Sequence, residues 1–138
     1  MPPNGRVLLD TNIVIALFAA DPGVRRGLEE AESVYLPVIA LGELLYGALH
    51  STHADRNIAH LQSFATAARV LSCDPATANA YGEIKAALRR RGTPIPENDI
   101  WIAAIALQHS LQVASRDAHF ALVPGLDVLR WDGLPSGE

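Results

Sequence analysis

Arg6-Val7-Leu8-Leu9-Asp10-Thr11-Asn12 is the stretch on which the fold turns. An apolar run without polar alternation reads as a strand buried on both faces, and the polar residues that follow at once end it. Asp10 then stands at the strand's C-terminal end. Gln112-Val113-Ala114 followed by Ser115-Arg116-Asp117 repeats the arrangement near the other end of the chain. Ser33-Val34-Tyr35-Leu36, closed by Pro37, is a further short strand. Val70-Leu71 and Asp127-Val128-Leu129 are weaker candidates, the second at a sheet edge.

Helical patterns fill the intervals. Thr11 or Asn12 is expected to cap a helix over residues 13–18, and Asp21-Pro22-Gly23 breaks it and opens another over 24–31. Residues 38–49 place Leu41, Leu44, Leu45, Ala48 and Leu49 on one face, and 55–68 carry Ile58, Leu61, Phe64 and Ala65 at helical spacing. Asp74-Pro75 starts a helix that ends in Arg89-Arg90-Arg91 and Gly92. Pro94-Ile95-Pro96-Glu97-Asn98-Asp99 then leads into the most apolar run, residues 100–107, in a helix ending near His109. Strands separated by helices predict a parallel α/β sheet, because parallel neighbours need crossovers of about a dozen residues.

Composition bounds the rest. At 138 residues the chain is expected to form a single domain, 1–138, with 132–138 a loose tail. A content of 49% hydrophobic and 19% charged residues excludes a disordered chain. Cys73 is the only cysteine, so no internal disulfide or single-chain cysteine cage forms. The first apolar run, residues 7–9, is far shorter than the roughly 7–15 residues of a signal peptide. Residues 100–107 fall well short of the ~18 that a membrane span requires. A soluble, cytoplasmic protein is expected. The formal charge of −4 argues against a generally basic nucleic-acid-binding surface.

In parallel α/β sheets the ligand site lies beyond the C-terminal strand ends, where Asp10 and Asp117 both fall. Asp10 also suits a cap or turn residue, and Asp117 suits the cap of a short helix over 118–122. Asp99 in a first helical turn is favourable as structure alone, by about 0.3–1 kcal/mol. It nevertheless shares a side with Ile102, Ala103 and Ala106, a packed face. Glu43, opposite the leucine stripe, is the least distinctive. The order Asp10, Glu43, Asp99, Asp117 carries more than any one of them, since all would converge on one sheet edge. Carboxylates a few Å apart cannot all remain bare anions, and divalent cations resolve the conflict. Hard oxygen ligands suit Mg²⁺ or Mn²⁺, and such ions support in-line attack of water on a phosphodiester.

With these residues in view, the sequence resembles the PIN-domain ribonucleases, particularly the VapC-type toxins of bacterial toxin–antitoxin pairs. The matching pieces are LLDTN at 8–12, LGELLYGA at 41–48, IPENDIWIAA at 95–104 and SRDAHF at 115–120. The resemblance implies an α/β/α sandwich with a mostly parallel sheet, and an endoribonuclease whose acids are Asp10, Glu43, Asp99 and Asp117. Asp10 and Asp99 would hold the principal Mg²⁺ or Mn²⁺, directly or through water. Glu43 and Asp117 would complete the site, position water and support a second ion. Thr11 and Ser115 match hydroxyl positions that would bond a carboxylate or a metal-bound water, while Asn12 and Asn98 are expected to fix loops. The family also implies a homodimer and a cognate antitoxin whose basic segment would occupy the acidic groove.

Arg89, Arg90, Arg91 and Arg116 are candidate RNA contacts, the first three beginning as a helix end and Arg116 open to either a structural or a phosphate-binding role. His119 could touch substrate but is read as structural, and Trp101 is read as core. A non-hydrolytic Mg²⁺-binding regulatory module is the competing reading, but the only lysine, Lys85, lies within a helix. An aspartyl phosphatase would need an aspartate where Asn12 stands.

Overall fold

The structure, a computed structural model, describes residues 5–132. The expected tail, beyond Asp132, lies outside the described residues. Elements follow in the order β1 (Arg6–Leu9), α1 (Thr11–Phe18), α2 (Pro22–Glu30), β2 (Ser33–Pro37), α3 (Val38–Leu49), α4 (Ala54–Ala67), β3 (Arg69–Leu71), α5 (Pro75–Arg91), α6 (Glu97–His109), β4 (Gln112–Ala114), a short 3-10 helix (Ala118–Leu122) and β5 (Val128–Leu129).

The five strands form one sheet in the order β3-β2-β1-β4-β5, and every pairing is parallel. The expectation of a mostly parallel α/β/α sandwich is met by a wholly parallel sheet. β1 lies at its middle, which is why its residues are apolar on both faces. Leu8 points into a core shared with α5 and α6, through Ile84, Leu88 and Ile105. Val7 and Leu9 point into the opposite core, with Ile13 of α1, Val24 of α2 and Ala40 of α3. The alternation along one strand thus creates the three layers.

α6 is buried nearly all round from Ile102 to Ala106, so its small alanines allow close approach to both the sheet and α5. Its first turn carries Glu97 and Asp99, acids that complement the positive end of the helix. α5 begins in a reciprocal cap between Asp74 and Thr77 and stops at Gly92, whose φ of 71° is the left-handed conformation glycine adopts freely. Thr11 and Asn12 do not cap α1. Asp10 does, through its own side chain, because β1 runs into the helix with no intervening loop. Trp101 is only partly buried and stacks on Tyr81, ring centroids 4.1 Å apart.

Candidate active site

β1 and β4 are in register with Leu9 opposite Ala114, so the residues just beyond them, Asp10 and Ser115, face each other at the C-terminal rim. The Asp10 N–H donates to Ala114 O at 3.0 Å, carrying the ladder one step past the strand. Asp10 is 5% exposed and Ser115 fully buried. Ser115 Oγ donates to Asp10 Oδ2 at 2.7 Å, and Thr11 N donates to Asp10 Oδ1 at 2.8 Å. The same serine oxygen accepts Asp117 N at 3.0 Å, so one hydroxyl ties the two strand-end acids together.

Asp117 caps the 3-10 helix, its Oδ1 accepting His119 N at 2.9 Å. This turn brings the His119 ring back over the acids. Its Nδ1 lies 3.0 Å from Asp99 Oδ2 and 2.9 Å from Asp117 Oδ1. Glu43, in the second turn of α3, accepts Thr11 Oγ1 at 2.6 Å and Asn98 Nδ2 at 3.0 Å. Thr11 from α1, Glu43 from α3 and Asn98 from α6 therefore lock three helices around one carboxylate.

The electrostatics agree with convergence. Burial pushes the Asp10 carboxyl up to about 6 against the opposing hydrogen bonds from Ser115 and Thr11, and the charges of Asp99 and Glu43 add to the rise. Asp99 is also raised, first by burial and then by Asp117 and Glu43, with His119 opposing. Asp10 thus feels Asp99 and Glu43, and Asp99 feels Asp117 and Glu43. Burial and like charge raise the free energy of the ionised carboxylates, and an oxygen-seeking divalent cation relieves that conflict. The donor set fits such an ion: a carboxylate oxygen of Asp99, one of Asp117 and a ring nitrogen of His119 all lie within 4.8 Å of one another.

The sequence-expected residues sort unevenly. Thr11 and Ser115 do bond carboxylates. Asn12 fixes a loop, accepting Arg116 N at 3.3 Å. Asn98 does not: its amide holds Glu43, because the first turn of α6 points at α3 rather than back at its own loop. Arg116, open to a structural or a phosphate-binding role in the sequence, has a structural one in the fold. Its guanidinium is paired with Asp21 at 2.9 Å, donates to Arg130 O at 3.3 Å and also donates to Trp131 O, tying α2 to the segment after β5. Arg89, Arg90 and Arg91 are exposed on the last turn of α5. His119, read as structural, faces the acids instead. The signal available in the sequence was the Asp117-x-His119 spacing, since an aspartate that bonds the N–H two residues on folds that residue toward its own carboxylate.

A parallel sheet with this acidic rim defines the class of protein. The family model for the PIN domain matches residues 7–126, and the chain belongs to the PIN-domain family, in its VapC group. It is 36% identical to Ribonuclease VapC2 of Haemophilus influenzae, covering 91% of this chain and 98% of that protein. It is 36% identical to Toxin FitB of Neisseria gonorrhoeae, over 80% of this chain and 87% of that one. Among solved structures, DNA-bound VapBC from Salmonella typhimurium superposes with a TM-score of 0.83 at 31% identity, covering 91% of this chain and 98% of that chain.

Proposed function

We propose that this chain is an endoribonuclease that hydrolyses RNA phosphodiester bonds with Mg²⁺ or Mn²⁺, one ion or two, and acts as the toxin of a type II toxin–antitoxin pair. The observation that carries the reading is the convergence of four acids at one strand-end rim: a buried Asp10 feels Asp99 and Glu43, Asp99 feels Asp117 and Glu43, and the Ser115 hydroxyl bonds both Asp10 and the Asp117 N–H. Membership of the VapC group, with relatives named ribonuclease and toxin, supports the choice of RNA hydrolysis over a regulatory Mg²⁺ module.

Asp10 and Asp99 would hold the principal ion, and Asp117 would complete its shell. Bound there, the ion supplies Lewis-acid charge to the phosphodiester and acidifies water. Ser115 and Thr11 keep the Asp10 carboxylate oriented inside a buried rim. Glu43 is exposed to solvent yet fixed by Thr11 and Asn98, so it would orient the attacking water and take its proton. Arg89, Arg90 and Arg91 would contribute phosphate contacts on an otherwise acidic chain.

A cleft of about 410 Å³ opens beside Glu43 and Thr11 and is lined by Ile15, Phe18, Leu44 and Leu61 of α1, α3 and α4. Ile15 is well exposed in it, and Tyr46 and Leu49 are exposed elsewhere on α3. An amphipathic antitoxin segment with a basic residue directed at Glu43 suits this surface, and the apolar helix faces suit a homodimer. Among the described residues no helix is long and apolar enough to cross a membrane, and a cytoplasmic single-domain protein is part of the same proposal.

The test is RNA hydrolysis by metal-stripped protein. Cleavage should appear on adding Mg²⁺ or Mn²⁺ and vanish in EDTA; equal activity in EDTA would sink the reading.

A further inference from the structure

His119 is not explained by the acids alone. Its side chain is 43% exposed, so packing does not force the ring toward the rim. The turn does: Asp117 captures the His119 N–H, and the neighbouring Phe120 is wholly buried in the core against α6. The ring nitrogen therefore sits about equally far from a carboxylate oxygen of Asp99 and one of Asp117. Separations near 3 Å are those of adjacent ligands on an octahedral ion with bonds of about 2.1 Å, since √2 times that length is roughly 3.0 Å. Elsewhere among the described residues, no histidine joins a comparable group of donors. His50, for instance, has its Nδ1 2.9 Å from the Tyr46 carbonyl, and His60 stacks on Phe18.

Resting on the reading of the acidic rim as a divalent-cation site, we propose that His119 is itself a ligand of that ion. The centre is then a mixed carboxylate–imidazole site that takes a transition-series cation such as Mn²⁺ in preference to Mg²⁺. An all-oxygen rim would suit the hard Mg²⁺ ion, which keeps its waters. Imidazole nitrogen adds a softer donor, whose affinity for divalent ions rises along the transition series. The side chain places that nitrogen without help from a second strand, because the ligand pair Asp117 and His119 comes from one turn.

The test uses the full chain, stripped of metal, as wild type, His119→Ala and His119→Gln, each checked for folding by circular dichroism. Mn²⁺ and Mg²⁺ are titrated separately by calorimetry, and the Mn²⁺ complex is examined by electron spin-echo envelope modulation. The wild type should show the ¹⁴N coupling of a directly bound imidazole, replaced by the ¹⁵N pattern on ¹⁵N-histidine labelling. That measurement decides the matter even if a variant fails to fold. Both variants should lose the coupling and bind Mn²⁺ at least about tenfold more weakly, while Mg²⁺ affinity changes by less than about threefold. Wild-type Mn²⁺ binding without nitrogen coupling, or full Mn²⁺ affinity in His119→Gln, which keeps a hydrogen-bond donor, would make His119 only a neighbour of the acids. That outcome overturns the proposal and leaves the nuclease reading standing. Failure of the wild type to bind either ion would overturn both.

Discussion

Ser115 Oγ donates to Asp10 Oδ2 at 2.7 Å, joining side chains 105 positions apart through a bond that is buried at both ends. It exists because β1 and β4 are parallel neighbours in register, so their first residues beyond the ladder meet. A hydrogen bond to a charged group contributes about 1.5–3 kcal/mol, more than a neutral pair. Ser115→Ala should destabilise the protein by about that amount in urea denaturation at pH 8. The loss should shrink below pH 5, where Asp10 is protonated. An unchanged midpoint at pH 8 would contradict the assignment.

The Asp10 carboxyl is raised from 3.8 to about 6 in the fold. An acid with a raised folded value favours the protonated state when folded. Its stabilising contribution is thus complete below pH 4 and lost as pH rises through 6. The size is roughly 3 kcal/mol at 1.36 kcal/mol per unit, and Asp99 shifts in the same direction. Asp21 acts oppositely but in a lower window, because its ion pair with Arg116 lowers it to about 2. In EDTA, wild-type stability should therefore fall between pH 4 and 6, and Asp10→Asn should flatten that fall. A metal ion should restore stability above pH 6. Denaturation curves across that range measure all three.

Glu43 is held by two donors from other helices. Thr11→Val and Asn98→Ala should each lower the rate of RNA cleavage by about ten- to a hundredfold, as the proton acceptor loses its orientation. Stability should change little, because the Glu43 bonds are exposed. A fall in substrate affinity with an unchanged single-turnover rate would move Glu43 out of the chemistry.

Arg116 and the Arg89–Arg91 run separate structure from binding. Arg116→Ala removes a half-buried pair with Asp21 and backbone bonds to residues 130 and 131, and should destabilise by about 1–3 kcal/mol with RNA affinity intact. Replacing Arg89, Arg90 and Arg91 by glutamine should leave stability nearly unchanged. It should flatten the salt dependence of RNA binding by about 0.7 for each phosphate that the arginines neutralise. Filter binding at several salt concentrations distinguishes the two.

Much of the fold was legible because its signals are local. Arg6–Leu9 and Gln112–Ala114 announce buried strands, Asp74-Pro75 a helix start, and Arg91-Gly92 a helix end. Part of the rim was legible for the same reason: Asp10 and Asp117 follow parallel strands and arrive at one edge, whereas Glu43 was picked out mainly by the resemblance. What remained hidden depends on partners distant in sequence. Asn98 holds Glu43 across 55 positions, Arg116 pairs with Asp21 across 95, and neither spacing carries a periodic signal. The exposure of Leu49 was equally invisible, since an apolar helical stripe reads the same whether it meets the core or a partner chain.

Cleavage of a 5′-labelled RNA under single turnover in Mg²⁺ or Mn²⁺, by wild type and by Asp99→Asn of equal thermal stability, tests the acidic rim most directly. Asp99→Asn removes one negative charge at near-constant shape, and cleavage should fall by at least about a thousandfold with the fold intact. Cleavage by Asp99→Asn at the wild-type rate would contradict the account.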